Sequence, residues 1–194
     1  MARILGISGS PNADGNTAYS VRYAIGLVKD RHETEYLSLS GLEIHPCVGC
    51  LACAKTGRCR FDDGMETVYA ALRRCDAVVI GSPVYMGMVS GQLKSMMDRC
   101  VLLRPGYGRL MELEGKVGGG IACGWFRNGG QETTLQNIHT FLLQQSMRVV
   151  NDGGPYSHAG ATIVGEAEKD ALGKETIEGL MRNLDRTLQG TRPD

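Results

Sequence analysis

Four cysteines, Cys47, Cys50, Cys53 and Cys59, stand in one short stretch at the spacing C-x2-C-x2-C-x5-C. Thiols clustered in this way can grip zinc, hold an iron–sulfur cluster, pair as disulfides or simply line a loop. Zinc, with Zn–S bonds of about 2.3 Å, draws its sulfurs close together and is usually met by two separated C-x2-C knuckles. Here the C-x2-C steps overlap, so that forming one knuckle strains the next. A 4Fe-4S cube takes its four sulfurs at separate corners. Three cysteines stepping every third residue, with a fourth after a short gap, suit it, and bacterial ferredoxin runs open the same way. The chain holds seven cysteines, an odd number, which argues against complete pairing. The spacing favours cluster ligation; a metal-free loop, zinc and disulfide chemistry remain as alternatives. Cys75, Cys100 and Cys123 lie in apolar contexts and read as core.

A second constellation is "GISGSPNADGNT", Gly6 to Thr17. It is neither GxGxxG nor a Walker loop, since no Gly-Lys-Ser/Thr is present. It offers the hydroxyls of Ser8, Ser10 and Thr17, the amide of Asn16, several backbone N–H groups and the start of a helix. That set suits one terminal phosphate held without a lysine. The bland reading is a polar turn with Thr17 as the helix cap. "GSPVYMGMVSG" adds Pro83, Val84, Tyr85, Met86 and Gly87, a fixed turn with flat or soft apolar side chains. "CGWFRNGGQE" begins beyond a third apolar run and holds Gly124, the only Trp, and Gly129-Gly130. A phosphate cradle at one end and apolar surface at the other describe a site shaped for FMN.

These loops need a scaffold that brings them to one edge. Arg3 to Ser8, Glu33 to Leu39, Asp76 to Gly81, Lys116 to Cys123 and Met147 to Val150 read as strands. Helical periodicity separates them: Thr17 to Lys29, a helix after Asp62-Asp63-Gly64, Gly91 to about Val101 behind a Ser90 cap, and Gln131 to Ser146. Glu166 to Leu188 closes the chain as an amphipathic helix. Five alternations of strand and helix predict an α/β fold, a flavodoxin-like doubly wound five-stranded parallel sheet with helices on both faces. In such sheets ligands bind at the carboxyl ends of the strands, where all three loops fall. The 194 residues are expected to form one domain, 1–194, with a cysteine-rich insertion at about 40–63, too long for an ordinary connection.

Formal net charge is zero, and no basic run points to nucleic acid or a membrane surface. No apolar stretch is long enough to span a bilayer, and the amino terminus does not read as a signal peptide. A cytoplasmic location is expected, where clustered thiols stay reduced. His32, His45, His139 and His158 match no ligand spacing. Only His45, two residues from Cys47, invites attention. Lys55, Arg58 and Arg60 surround the cysteines, and Asp98-Arg99 suggests a structural pair at a helix end. No Ser-His-Asp or Cys-His arrangement is present, so no catalytic side chain is assigned.

Together, "GSPNADGNT", "CVGCLACAKTGRCRFDD", "DAVVIGSPVYMGMVSGQLKSMMDR" and "GGGIACGWFRNGGQETT" resemble the NADPH-dependent FMN reductase family of flavodoxin-like proteins, and within it the iron–sulfur flavoproteins. The resemblance covers roughly residues 3–150 and departs at Trp125-Phe126, where relatives often look smaller. It implies FMN on the loop of Ser8, Ser10, Asn16 and Thr17, with its ring near Pro83 to Gly87 and bordered by Gly124 to Gly130. It also implies a 4Fe-4S cluster on Cys47, Cys50, Cys53 and Cys59, and a homodimer or homotetramer. The implied electron donors or acceptors are ferredoxin, NAD(P)H or a quinone. Two rival functions remain: a cluster-free NAD(P)H-dependent FMN or quinone reductase, and a redox sensor or zinc module with little turnover.

Overall fold

The computed structural model describes residues 1–107 and 111–190. Its elements run β1 (Arg3–Ser8), α1 (Asn16–Gly26), β2 (Glu33–Ser38), α2 (Ala52–Thr56), α3 (Met65–Arg74), β3 (Ala77–Pro83), α4 (Gly91–Arg99), β4 (Val117–Gly124), α5 (Gln131–Gln144), β5 (Arg148–Val149), β6 (Ala161–Val164) and α6 (Ala171–Gln189). A 3-10 turn, Cys100–Leu103, extends α4. The strands are parallel in the order β2-β1-β3-β4-β5, with β6 also paired to β4. This is the flavodoxin-like order, with its switch point between β1 and β3.

The register brings the functional loops level. Ser8 stands beside both Ser38 and Gly81, and Pro83 stands beside Cys123. The apolar runs that mark β1 and β3 are buried on both faces, as a covered parallel sheet demands. One core joins the sheet to α3, α4 and α5, through Leu72, Met96 and Phe141 among others. The other joins it to α1 and α6, through Val21, Ile25, Ile177 and Leu180. In β4, Gly118, Gly119 and Gly120 stand where a Cβ would meet Leu142 of α5, Leu180 of α6 and Leu135 of α5, at 2.7, 2.8 and 3.0 Å. The triplet that weakens β4 by propensity is what lets helices from both faces sit close on the sheet.

Two expectations are refined. The fifth position of the sheet is shared. β5 pairs with Val117 and Gly118, and β6 with Ile121 to Gly124, so residues 150–160 loop out between two halves of one edge. Gly153, at φ +68°, and Pro155, which has no N–H to donate, break the ladder there. Ala161–Val164 is too short to announce itself by alternation. At α1, Thr17 is not the cap. The helix starts at Asn16 after Gly15, and Thr17 is buried in its first turn.

Candidate functional site

The loop after β1 is fastened on every side. Gly9 N–H donates to Gly81 O at 2.8 Å, the Ser90 hydroxyl donates to Gly9 O, and Ser90 N–H donates to Ser82 Oγ at 3.1 Å. Ser90 Oγ also accepts from Leu93 N–H at 3.2 Å, so it caps α4 as expected while bracing the neighbouring loop. Within the loop, Ser10 Oγ accepts from Asn12 N–H and Asn12 Oδ1 from Asp14 N–H. The first bond of α1 runs from Tyr19 N–H to Gly15 O, which leaves the amides of Asn16, Thr17 and Ala18 as first-turn donors without a partner among the described residues.

The four polar side chains expected to face a phosphate differ in what they do. Ser8 is fully buried, and its hydroxyl has no partner among the described residues. Ser10 is buried and forms part of the turn. Asn16 is a strut: its amide donates to Gly165 O at 2.7 Å and accepts from Ala167 N–H at 3.0 Å, tying the loop to the segment before α6. Thr17 lies beside Cys123, whose thiol is pushed up to about 11 by burial, against the opposing effect of the Ser20 and Thr17 hydroxyls. An orphaned buried hydroxyl and a set of free helix amides are the donors a phosphate requires, so the residues fit the terminal group of FMN.

Beyond β3 the chain forms a tight reversal. Tyr85 and Met88 exchange both backbone bonds at 3.0 Å, with Met86 and Gly87 between them at φ +52° and +75°. Positive φ at both central positions is the I′ type of turn. Val84 N–H donates to Cys123 O at 2.9 Å, and Thr133 Oγ1 donates to Gly87 O at 2.6 Å, joining this turn to the loop after β4. Gln131 holds that loop from below, donating to Phe126 O at 2.8 Å and accepting from Gly129 N–H at 3.0 Å. Gly124 has no room for a Cβ, which would stand 2.4 Å from Gln131. Tyr85, Met86, Trp125 and Phe126 are exposed large apolar side chains on these loops. The braces Ser82, Gln131 and Thr133 carried no sequence signal beyond turn and helix-start composition.

The cysteine loop makes a different kind of site. Cys47, Cys50, Cys53 and Cys59 all line one cavity of about 420 Å³, closed by Phe61, Tyr69, Arg99 and the residues that follow α4. Cys47 and Cys50 are exposed; Cys53 and Cys59 are half-buried. Burial raises the Cys53 thiol, and its neighbours Cys59 and Cys47 add to the effect. Among the described residues, no group of three or more His, Cys, Asp or Glu side chains is gathered as a site for a single metal ion. Four soft sulfur donors around one roomy wall fit a larger group bound at several corners.

This loop hangs from one buried ion pair. Asp63 takes both ends of the Arg99 guanidinium, Oδ2 from Nη1 at 2.7 Å and Oδ1 from Nη2 at 3.0 Å, with both side chains about 97% or more buried. Asp63 also accepts from the backbone N–H of His45 and Met65, each at 3.1 Å, and Arg99 Nη1 donates to His45 O at 3.0 Å. Burial works to raise the Asp63 carboxyl, but the hydrogen bonds from Arg99, His45 and Met65 win and hold it well below the usual carboxylate range. The expected Asp98–Arg99 pair is corrected: Asp98 pairs with Lys94 at 2.6 Å, one turn back. Adjacent helix residues do not face each other, whereas those four apart do. His45 stacks on Phe61, centroids 4.9 Å apart, and serves the loop's structure. Arg60 reaches the cavity wall; Lys55 and Arg58 stay in solvent. Arg99 Nε has no partner among the described residues. A buried donor left so costs about 1–3 kcal/mol.

Cys75, Cys100 and Cys123 are buried, with thiols pushed up to about 11, 12 and 11 by desolvation. They are inert core, as expected. No helix among the described residues is long and apolar enough to cross a membrane.

The flavodoxin-like sheet brings the loops after β1, β3 and β4 to its switch point, where open α/β sheets bind ligands. The family model described as NADPH-dependent FMN reductase matches residues 2–162. The chain is 44% identical over 187 residues to an iron–sulfur flavoprotein of Methanocaldococcus jannaschii, covering 94% of this chain and 95% of that one. It is 38% identical to the iron–sulfur flavoprotein of Methanosarcina thermophila, covering 94% and 93%. The solved flavodoxin, a WrbA-like protein from Agrobacterium tumefaciens, superposes with a TM-score of 0.69 at 18% identity, covering 99% and 100%. The chain belongs to the NADPH-dependent FMN reductase family and is an FMN-dependent oxidoreductase.

Proposed function

We propose that this oxidoreductase carries FMN on the loops at the strand ends and a 4Fe-4S cluster on Cys47, Cys50, Cys53 and Cys59, and passes electrons between them. The observation that carries the reading is that all four cysteines line one cavity, in a loop tethered to the loop after β1 through the Ser40 hydroxyl, which donates to Pro11 O at 2.9 Å. When bound, a cluster exchanges single electrons and FMN one or two, so the pair links a two-electron reductant such as NAD(P)H, or a quinone, to a one-electron partner such as ferredoxin. The chain's own residues bind and insulate. Ser8 and the first-turn amides of α1 hold phosphate; Pro83 to Gly87 and Gly124 offer surface for the ring; the thiols hold iron. No side chain is assigned as acid, base or nucleophile. Residues 1–194 act as one unit with the cysteine loop as its insertion. The exposed Tyr85, Met86, Trp125 and Phe126 supply a patch for a second copy in a homodimer or homotetramer. Seven free cysteines suit the reducing cytoplasm.

Partial similarity to a Chromohalobacter salexigens protein described as an NAD(P)H dehydrogenase (quinone), 36% identity over 111 residues, supports one rival, a cluster-free NAD(P)H-dependent FMN or quinone reductase. Anaerobic purification, with iron, acid-labile sulfide and FMN counted per chain, separates the two. The expected result is one FMN with about four iron and four sulfide, and loss of the iron with retention of the flavin in Cys50→Ser. FMN alone, even after anaerobic reconstitution, sinks the cluster; NAD(P)H turnover unchanged in Cys50→Ser then identifies the reductase.

A further inference from the structure

The split edge of the sheet leaves a groove that takes no part in the flavin site. Its volume is about 540 Å³, and it lies between residues 148–159, α5 and α6. None of its lining residues belongs to the loops after β1, β3 and β4. Its ionisable side chains are Arg148, His139 and His158, and no carboxylate lines it. Burial lowers the His139 imidazole below its ordinary value, so that ring is a neutral wall. Arg148 is exposed, and its Nε–H donates to Gly115 O at 2.9 Å, which anchors the guanidinium by one edge and leaves Nη1 and Nη2 without a partner among the described residues. His158 is held from behind. Its Nδ1–H donates to Asp152 Oδ2 at 2.9 Å, and the Asp152 side chain is 1% exposed where the His158 side chain is 54% exposed. Asp152 Oδ1 has no partner among the described residues. Burying a carboxylate is costly unless it is fully paired, and a brace for the loop alone would bury the ring as well. Here the buried group orients an imidazole that stays in the open. Tyr156 stacks on the same ring, centroids 5.6 Å apart, and Asn183 Nδ2 donates to Asn151 O at 3.1 Å, so the wall is tied to α6 before any ligand arrives.

We propose that this groove is a second ligand site, which takes a phosphate group between Arg148 and His158. Arg148 offers Nη1 and Nη2, a fork that matches two oxygens of a phosphate. His158 offers Nε2. With Asp152 on Nδ1 and an anion on Nε2, the imidazole is flanked by negative charge on both sides and binds as the cation. Asn151 and Ser157 add polar groups on the same wall. The groove is roomier than one phosphate, and Val149 and Val150 give it apolar surface for the body of a phosphate ester. Free phosphate offers the same chemistry to the two charged side chains. The proposal does not depend on the cysteine loop or on what it holds.

The test uses the full chain saturated with FMN, so that the loop after β1 is already filled, as wild type, Arg148→Gln, His158→Gln and Ser8→Ala. Inorganic phosphate, 5′-AMP and adenosine are titrated by calorimetry, and thermal unfolding shows that each variant is folded. The two groove variants change exposed side chains on separate segments, so one remains informative if the other is unstable. The expected result is one site per chain for inorganic phosphate, weakened about tenfold or more in Arg148→Gln and in His158→Gln, unchanged in Ser8→Ala, and with no binding of adenosine. 5′-AMP bound more tightly than phosphate supports the site and makes an ester its ligand. Phosphate bound with 5′-AMP excluded supports the site and makes the free anion its ligand. No binding of phosphate or 5′-AMP by the wild type overturns the proposal. Binding that survives both groove variants, or that falls only in Ser8→Ala, also overturns it, since the phosphate then sits elsewhere. Adenosine bound as tightly as 5′-AMP overturns it too, because the phosphate is then not what is recognised.

Discussion

At the carboxyl ends of β1, β3 and β4 the site is made largely of backbone, and the register of a parallel sheet holds it. Gly9 is bonded to Gly81, Val84 to Cys123, and Thr133 to Gly87. By contrast, residues 40–63 hold only the five-residue α2, and are fastened mainly by Asp63, Arg99 and a bond from Gly64 N–H to Glu43 O. The first region is redundant: many bonds among consecutive elements share the load. The second depends on few bonds. A substitution in the strand-end loops should therefore alter what is bound, and a substitution at the ion pair should alter whether the loop keeps its shape.

The largest effect is expected for Asp63→Ala. Leaving Arg99 charged and buried costs about 3–5 kcal/mol, read as a fall in stability in urea, while FMN affinity stays near wild type. An equal fall in flavin affinity would break the contrast between the regions. Next is Gly130→Ala. Gly130 sits at φ +103°, and a Cβ there would stand 2.7 Å from Gly87 Cα. About 1–3 kcal/mol of strain should weaken FMN binding in a fluorescence titration and leave iron content unchanged. Ser8→Ala sharpens the comparison further. The hydroxyl has no partner among the described residues, so the FMN-free chain should lose no stability. FMN affinity should fall about tenfold or more, since a bond to a charged phosphate contributes about 1.5–3 kcal/mol.

The smallest effect is in acid. Asp63 is held below its ordinary value of 3.8, so its contribution is complete above that value. It is lost as pH falls below 3.8 towards the folded-state value. The stability gap between wild type and Asp63→Asn should shrink as pH falls below 3.8. A gap that persists unchanged well below that value would overturn the assignment to Asp63.

What the sequence made legible was local. The apolar runs of β1 and β3, the Ser90 cap and the overlapping cysteine steps are patterns within a dozen residues, and periodicity or spacing exposes them. Asp63 read as an acidic helix start, and it does accept from Met65 N–H at 3.1 Å. Its principal partner lies 36 residues away, and no local pattern announces that. Asn16 looked free for phosphate because Gly165 and Ala167, which hold its side chain, are some 150 residues distant. β6 escaped because a four-residue strand that completes another strand's edge has no periodicity of its own. Side chains that join distant segments are hidden in a single sequence, because folding alone makes them neighbours.

The glycines of β4 carry one more consequence. Most positions of a fold tolerate change in proportion to how little side chain they have to lose. At Gly118, Gly119 and Gly120 that relation is reversed, because even one methyl group would wedge α5 or α6 away from the sheet. The thinnest place in the molecule lies directly under both helical layers. Substitution is therefore resisted at positions with no side chain to lose, and designers who graft new loops onto this sheet should leave its barest strand untouched.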